Sequence, residues 1–265
     1  MEEKIHIVGG SSWRGKINIL SDEFLATARY NRRNGITCKV KRLPPLSRFA
    51  FRVNRLPLPK LLKLVLKVFD ITSWKGWLFL CLYAGFLVAT YKLTRLLVHE
   101  HHLGVSSIAV GAGWDFAALI IPVLFYLRQV VASWHGAEHM AIGAYQRNEG
   151  TTLDAISKQS PIHMSCGARF ALPLLVVYYS SLFIPGWSGL VFGLIGLEAI
   201  LWVDDLWGWK KVPIFSHSSR LLQKYITTRA PGERELRTAQ RALRELVAAH
   251  HQLRSQEPLK GVRAS

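Results

Sequence analysis

Four runs of apolar residues dominate the middle of the chain and constrain its fold more than any other feature. They cover residues 74–98, 106–130, 170–184 and 187–207, and formal charges are rare within them. A helix needs about 20 predominantly apolar residues to cross a bilayer, and only the third run, with Pro173 near its start, is shorter. The sequence therefore predicts an α-helical polytopic membrane protein with about four transmembrane helices.

The charged residues are concentrated at the two ends of the chain. Residues 1–73 carry fifteen Lys and Arg against five acids, and the tail from Trp209 carries twelve against four. A net charge of +17 is typical of proteins that bind nucleic acid, but no recognised nucleic-acid-binding motif accompanies it. The positive-inside rule instead places both termini and segment 131–169 on the cytoplasmic side of the inner (plasma) membrane. We therefore expect membrane lipids, and no nucleic acid, as partners.

By composition, the chain divides into four predicted parts. Both ends are polar and basic, and a proline-containing linker precedes the apolar middle. Either basic end could recruit a protein partner. The four parts are a β-rich cytoplasmic unit at 1–57, an interfacial amphipathic helix at 58–72, a transmembrane domain at 73–210 and a basic cytoplasmic helical tail at 211–265.

Local patterns predict the structure of the polar parts. Asn34-Gly35 lies between the alternating segments 24–30 and 36–40, which is a strong hairpin signal. The helix at 58–72 has lysines on one face, so it either lies in the membrane interface or packs on the β unit. Residues 232–253 alternate Arg and Glu with Leu and Ala at helical spacing, which predicts an exposed amphipathic helix.

The segment His135-Gly136-Ala137-Glu138-His139 contains the residues best suited to chemistry. On a helix, His135, Glu138 and His139 share one face. Two imidazoles one turn apart can hold one zinc ion, and a nearby carboxylate can act as general base on metal-bound water. The order H-x-x-E-H is also that of the inverzincin metallopeptidases. The alternative is an interfacial helix with solvated His and Glu side chains.

A catalytic zinc site needs a third protein ligand, and three residues are candidates for it. His163 and Cys166 lie just before the third apolar run and return the chain to the side of His135. Cys166 could equally be a small packing residue. Glu198 lies within the fourth run, where a carboxylate needs a metal, an arginine, a histidine or a proton as its partner.

These residues resemble those of a known family. The segment 135–139, followed by Tyr145, Glu149-Gly150 and His163-x-x-Cys166-Gly167-x-x-Phe170, is similar to the YqhQ-like bacterial membrane proteins. The tail is similar as well, in Leu221-Leu222-Gln223 and the following Thr227-Thr228-Arg229-Ala230-Pro231. Departures from the family pattern occur at Arg14, Met140, Ser165 and Ala168. The resemblance implies a membrane protein with a predicted metal site, and it implies no substrate.

The sequence thus leads to two hypotheses of different classes. The first is a metal-dependent hydrolase of peptide or lipid-like substrates. Its divalent metal would be zinc, bound by His135, His139 and one or more of His163, Cys166 and Glu198, with Glu138 as the catalytic base. The second is a non-enzymatic membrane scaffold or partner-recruiting protein in which the same cluster is structural.

Overall fold

The computed structural model describes residues 5–45, 48, 124–164, 166–182, 184, 187–206 and 211–256. The chain separates into two compact units. One comprises residues 1–43, 59–61 and 127–265, and the other comprises 44–58 and 62–126. Nearly all described residues belong to the first unit, which contains every element discussed below.

The N-terminal region of this unit is an antiparallel sheet of four strands in the order β1-β2-β3-β4. The β3–β4 hairpin pairs Asn31 with Gly35, and Gly35 has a φ of 69°. Glycine enters this left-handed region without steric cost, so the hairpin forms where the Asn34-Gly35 pair predicts it. The strands are β1 Ile7–Trp13, β2 Lys16–Ser21, β3 Phe24–Asn31 and β4 Gly35–Arg42.

The rest of the unit is helical. A π-helical turn at Leu127–Val131 leads into α1, a 3₁₀ turn at Gly167–Phe170 leads into α3, and a π-helical turn at Gln223–Thr227 extends α5. The helices are α1 Ala132–Gln146, α2 Leu153–Ser157, α3 Ala171–Leu182, α4 Trp187–Leu206, α5 Pro213–Leu222 and α6 Glu233–Gln256.

One face of the sheet packs on α1 and α6 and forms the core. Side chains alternate between the two faces of a strand, and the inward set on β2 includes Ile17 and Ile19, both fully buried. On α6, Leu243 and Leu246 are fully buried in the same cluster. Burying one such side chain stabilises the fold by roughly 1.5–3 kcal/mol. The tail helix is therefore amphipathic, as its pattern predicts, but its apolar face is covered by the N-terminal sheet.

Helices α3 and α4 pack closely against each other. A Cβ atom at Gly196 would lie 2.6 Å from Cγ1 of Val177, and one at Gly189 would lie 2.6 Å from the carbonyl oxygen of Ser181. The two helices approach closely because these positions have no side chain. Other apolar side chains of the pair are exposed, among them Val176 and Ile195.

The prediction of a polytopic helical membrane protein is wrong. Among the described residues, no helix is both long enough and apolar enough to cross a bilayer. Helix α3 has 12 residues, which gives it a length of about 18 Å against a hydrocarbon thickness of about 30 Å. Helix α4 has 20 residues but carries three carboxylates, Glu198, Asp204 and Asp205.

The predicted multi-pass location in the inner membrane depends on the same spans, and the same finding contradicts it. The predicted span at 74–98, most of the span at 106–130 and the predicted interfacial helix at 58–72 lie outside the described residues. The domain boundaries predicted near 57, 72 and 210 stay predictions.

Candidate metal centre

Helix α1 places the three residues of the H-x-x-E-H segment between the sheet and the loop that follows α2. Glu138 and His139 are 2% and 4% exposed, and His135 is partly buried. Buried imidazoles and carboxylates need polar partners. The partners of these three residues define the site.

Both histidines use Nδ1 for a contact that orients the ring. Nδ1 of His139 lies 2.7 Å from the carbonyl oxygen of Pro161, and since a carbonyl only accepts, this nitrogen is the donor. Nδ1 of His135 lies 3.2 Å from Oε2 of Glu138 and 3.2 Å from Oγ of Ser12. Metal-binding histidines are usually held in this way, with the second ring nitrogen donating to a carbonyl or a carboxylate. The arrangement leaves Nε2 of each ring on the side away from these partners.

Cys166 supplies a third donor atom at this place. Its Sγ lies 3.4 Å from Nε2 of His135, and the thiol also accepts from the backbone N–H of Ala168 at 3.5 Å. Among the described residues, one group has the spacing of a metal site. It comprises His135, His139 and Cys166, whose donor atoms all lie within 4.8 Å of one another.

One separation within this group matches the geometry of a tetrahedral zinc site. With Zn–S near 2.3 Å and Zn–N near 2.05 Å, tetrahedral geometry puts sulfur and nitrogen roughly 3.5 Å apart. The separation of 3.4 Å between Sγ of Cys166 and Nε2 of His135 is close to that value. Two histidines and one cysteine leave a fourth position open, as catalytic zinc sites do.

The two histidines of the group differ in protonation. Burial, the largest influence, lowers the pKa of His135, but its hydrogen bonds with Cys166 and Glu138 outweigh burial and raise that pKa to about 10. Burial and the neighbouring charge of His135 lower the pKa of His139 to about 4. At neutral pH, His139 is therefore a neutral imidazole, the form that binds metal, whereas His135 is protonated and has to release a proton when it binds a metal.

The two other predicted ligands lie outside this group. The His163 ring is centred 5.7 Å from that of His139, but its Nε2 lies 3.1 Å from Oε1 of Gln146. Burial lowers the pKa of His163. Glu198 on α4 accepts a hydrogen bond of 2.8 Å from the indole N–H of Trp202. The structure thus brings together three of the five predicted ligands.

Two glycines allow the surrounding elements to reach this site. A Cβ atom at Gly10 of β1 would lie 2.5 Å from Oε1 of Glu138 and 2.6 Å from the carbonyl oxygen of Asn18. A Cβ atom at Gly136 would collide with the carbonyl group of Arg229. Only glycine allows the Glu138 carboxylate to lie against β1, and only glycine allows the chain at Arg229 to cross α1.

The segment after α5 fixes the loop that carries Cys166. Gln223 is fully buried, and its Oε1 accepts the backbone N–H of His163 at 2.9 Å. Thr228 closes the same turn by donating from N and Oγ1 to the carbonyl of Gln223, both at 2.9 Å. Arg128 also binds the carbonyl of Thr228, at 2.6 Å. The family resemblance pointed to this segment, but the residue pattern alone gave it no function.

An ion pair on the other side of the loop involves Arg169. Its guanidinium binds Asp204 of α4 through two contacts of 3.1 and 2.9 Å. Its Nη1 also donates to the carbonyl of Cys166 at 3.3 Å. Paired arginine–carboxylate contacts of this kind fix geometry as well as charge. Arg169 thereby joins α4 to the backbone of the cysteine.

Comparison with known proteins places the C-terminal half of the chain in a family. Residues 119–249 match the family described as "Protein of unknown function (DUF1385)". A stretch of 47 residues is 38% identical to the "Uncharacterized protein YqhQ" of Bacillus subtilis (strain 168). This part of the chain is a YqhQ-like domain of unknown function.

The alignment with the Bacillus subtilis protein covers 18% of this chain and 15% of that protein. No solved structure matches the chain. The YqhQ-like domain includes helix α1, the loop with Cys166 and most of α6. All three residues of the candidate metal centre therefore lie within it.

Proposed function

We propose that the YqhQ-like domain binds a zinc ion through His135, His139 and Cys166 and uses it for hydrolysis. The supporting observation is the group of three donor atoms within 4.8 Å of one another. Three protein ligands leave a position for water, and zinc lowers the pKa of such a water to about 7. A peptide or an ester is the kind of substrate that this chemistry attacks.

Within this proposal, the position of Glu138 supports an orienting role. Its Oε2 contacts Nδ1 of His135, whereas Nε2 of the same ring faces Cys166. A carboxylate in this position fixes the tautomer of the ligand and increases its basicity. The general-base role that the H-x-x-E-H order indicates stays a prediction, and the Glu138→Gln variant separates the two roles.

The proposal is tested first by metal content. We expect one zinc per chain in purified protein by plasma mass spectrometry, and loss of it in His139→Ala. His217→Ala is the matched control, since His217 is exposed on α5 and lies outside the group. Equal zinc content in the two variants, or none in the unaltered protein, would refute the site.

The role of Glu138 is tested by zinc affinity in competition with a chelator. Loss of an orienting partner reduces metal affinity about 10–100-fold, so Glu138→Gln should show a decrease of this size. Unchanged affinity would favour the general-base role. Hydrolysis is tested with peptide and ester panels: an activity that disappears with chelator and returns with zinc supports the enzyme.

A non-enzymatic role is the second proposal, and one observation favours it. Even without an ion, the contacts of His139 with Pro161 and of His135 with Cys166 join α1 to the following loop. The cluster could therefore stabilise packing alone. A lower urea midpoint of His139→Ala than of the unaltered protein in the presence of chelator, with no measurable hydrolysis by the unaltered protein, would support this alternative.

A further inference from the structure

A basic groove lies at one end of the sheet, separate from the residues of the metal centre. Its cavity is about 1210 Å³, and fifteen described residues line it. Six of these are cationic, and none of the described lining residues is acidic. The cationic residues are Arg14, Lys16, Arg29, Arg32, Arg33 and Arg234.

Backbone contacts fix the two turns that carry half of these cations. In the β1–β2 turn, Gly15 has a φ of 72°, and its carbonyl accepts the N–H of Tyr30 at 2.8 Å. In the β3–β4 turn, the N–H of Arg33 donates to Oδ1 of Asn31 at 2.9 Å. The backbone positions of the cations are therefore set before a ligand arrives, which lowers the entropic cost of binding.

Aromatic rings hold Arg234 in place. The guanidinium of Arg234 lies 5.3 Å from the ring centre of Tyr30 and 5.5 Å from that of Trp134. Its other partner is Glu235, at 2.7 Å. A guanidinium held by rings and a carboxylate loses less freedom when it binds an anion. The groove thus contains one guanidinium that aromatic rings and a carboxylate hold in position.

We infer that this groove binds a small soluble molecule with at least two linked phosphate groups. Guanidinium groups match phosphate oxygens through paired hydrogen bonds. The cations come from the β1–β2 turn, β2, β3, the β3–β4 turn and α6, and their total charge is more than one monovalent anion can neutralise. Clustered charge of one sign in a concave site also raises the local concentration of anions.

The test is calorimetric titration of the full chain with pyrophosphate and with orthophosphate, in buffer containing chelator. Hydrogen bonds to charged groups contribute enough that losing two of them reduces affinity about tenfold or more. We expect this loss in the double variant Arg32→Gln/Arg33→Gln, whose side chains are exposed. We also expect pyrophosphate to bind more tightly than orthophosphate.

The matched control is Arg220→Gln/Arg244→Gln, which removes the same charge from exposed positions outside the groove. The affinity of this control variant for pyrophosphate should stay within about twofold of that of the unaltered protein. Equal losses in both double variants, or no binding of pyrophosphate, would overturn the inference. Tighter binding of a short single-stranded oligonucleotide, lost in Arg32→Gln/Arg33→Gln, would also overturn it, in favour of nucleic acid.

The inference is independent of the proposed zinc site. Glu138→Gln should bind pyrophosphate as the unaltered protein does, because chelator is present and Glu138 does not line the groove. If the protein binds no zinc, the inference about pyrophosphate binding still stands. If the protein binds no pyrophosphate, the proposed zinc site still stands.

Discussion

At the scale of single residues, the candidate metal centre depends on positions that carry no side chain. Gly10 is the clearest example, because the Glu138 carboxylate occupies the space that a Cβ would need. Its neighbour Gly9 has nothing within 4 Å of the equivalent position. The two glycines are neighbours in one strand, so a substitution at Gly9 is a control for the same substitution at Gly10.

We expect Gly10→Ala to displace Glu138 from His135 and to reduce zinc affinity about 10–100-fold. Overpacking should also destabilise the unit by about 1–3 kcal/mol. Gly9→Ala should change neither quantity appreciably. Zinc titration and urea unfolding of both variants provide the measurements, and similar behaviour of the pair would contradict the role given to Gly10.

The sequence was sufficient to place His135, Glu138 and His139 on one helical face, because helical periodicity is a local property. It could not choose among His163, Cys166 and Glu198 as the third donor. That choice depends on the loop, which Gln223 holds from 60 residues away. Nor could it identify Ser12 or the Pro161 carbonyl, since their roles come from strand and loop positions.

At the scale of elements, the contact between α6 and the sheet contains a titratable group. Nε2 of His250 lies 2.8 Å from Oγ of Ser21, and its ring meets that of Phe24 edge-on at 4.9 Å. Burial lowers the pKa of His250. The charged or titratable groups around it are Asp22 and Glu23 from the sheet and His251 and Arg254 from α6.

A lowered pKa in the folded state means that the unfolded chain takes up the proton first. The contribution of His250 to stability is therefore complete above its ordinary pKa of about 6.5 and decreases as the pH falls below that value. We expect His250→Gln to lose less stability than the unaltered protein between pH 7.5 and 5.0. The urea midpoints of both proteins at the two pH values measure this loss. Titration of all other groups contributes equally to both proteins and cancels when their losses are subtracted. Equal losses in the two proteins would exclude this role.

The observed helices and strands also show which predictions from the sequence were right and which were wrong. The hairpin at Asn34-Gly35 follows from two residues, and the structure contains it. The apolar runs in the C-terminal half were predicted as spans, because length and hydropathy alone do not show where a helix ends or what it packs on. Helix α3 stops at Leu182, and α6 finds its apolar partner in a sheet at the other end of the sequence.

At the scale of the molecule, the core and the candidate metal centre are continuous through α1. Trp134 and Ala137 pack in the core, while His135 and His139 bind outward to the loop. An ion that binds only the folded unit stabilises all of it, by about 2.7 kcal/mol when its concentration is 100 times its Kd.

We therefore expect added zinc to raise the urea midpoint of the whole unit in a single transition. His139→Ala should remove this increase, and His217→Ala should keep it. Circular dichroism follows the unfolding of helices and sheet together. A zinc effect of equal size in both variants would show that the ion acts elsewhere.

The contact between Ser21 and His250 also sets the earliest moment during synthesis at which the sheet can be covered. These residues are 229 positions apart, and a ribosome adding about 5–20 residues per second needs roughly 10–45 seconds to make that stretch. During synthesis, the inner face of the sheet, with Ile17 and Ile19, has to wait for the helix that covers it. A stalled nascent chain that ends before Glu233 should be cleaved in the sheet by a protease that leaves the released protein intact.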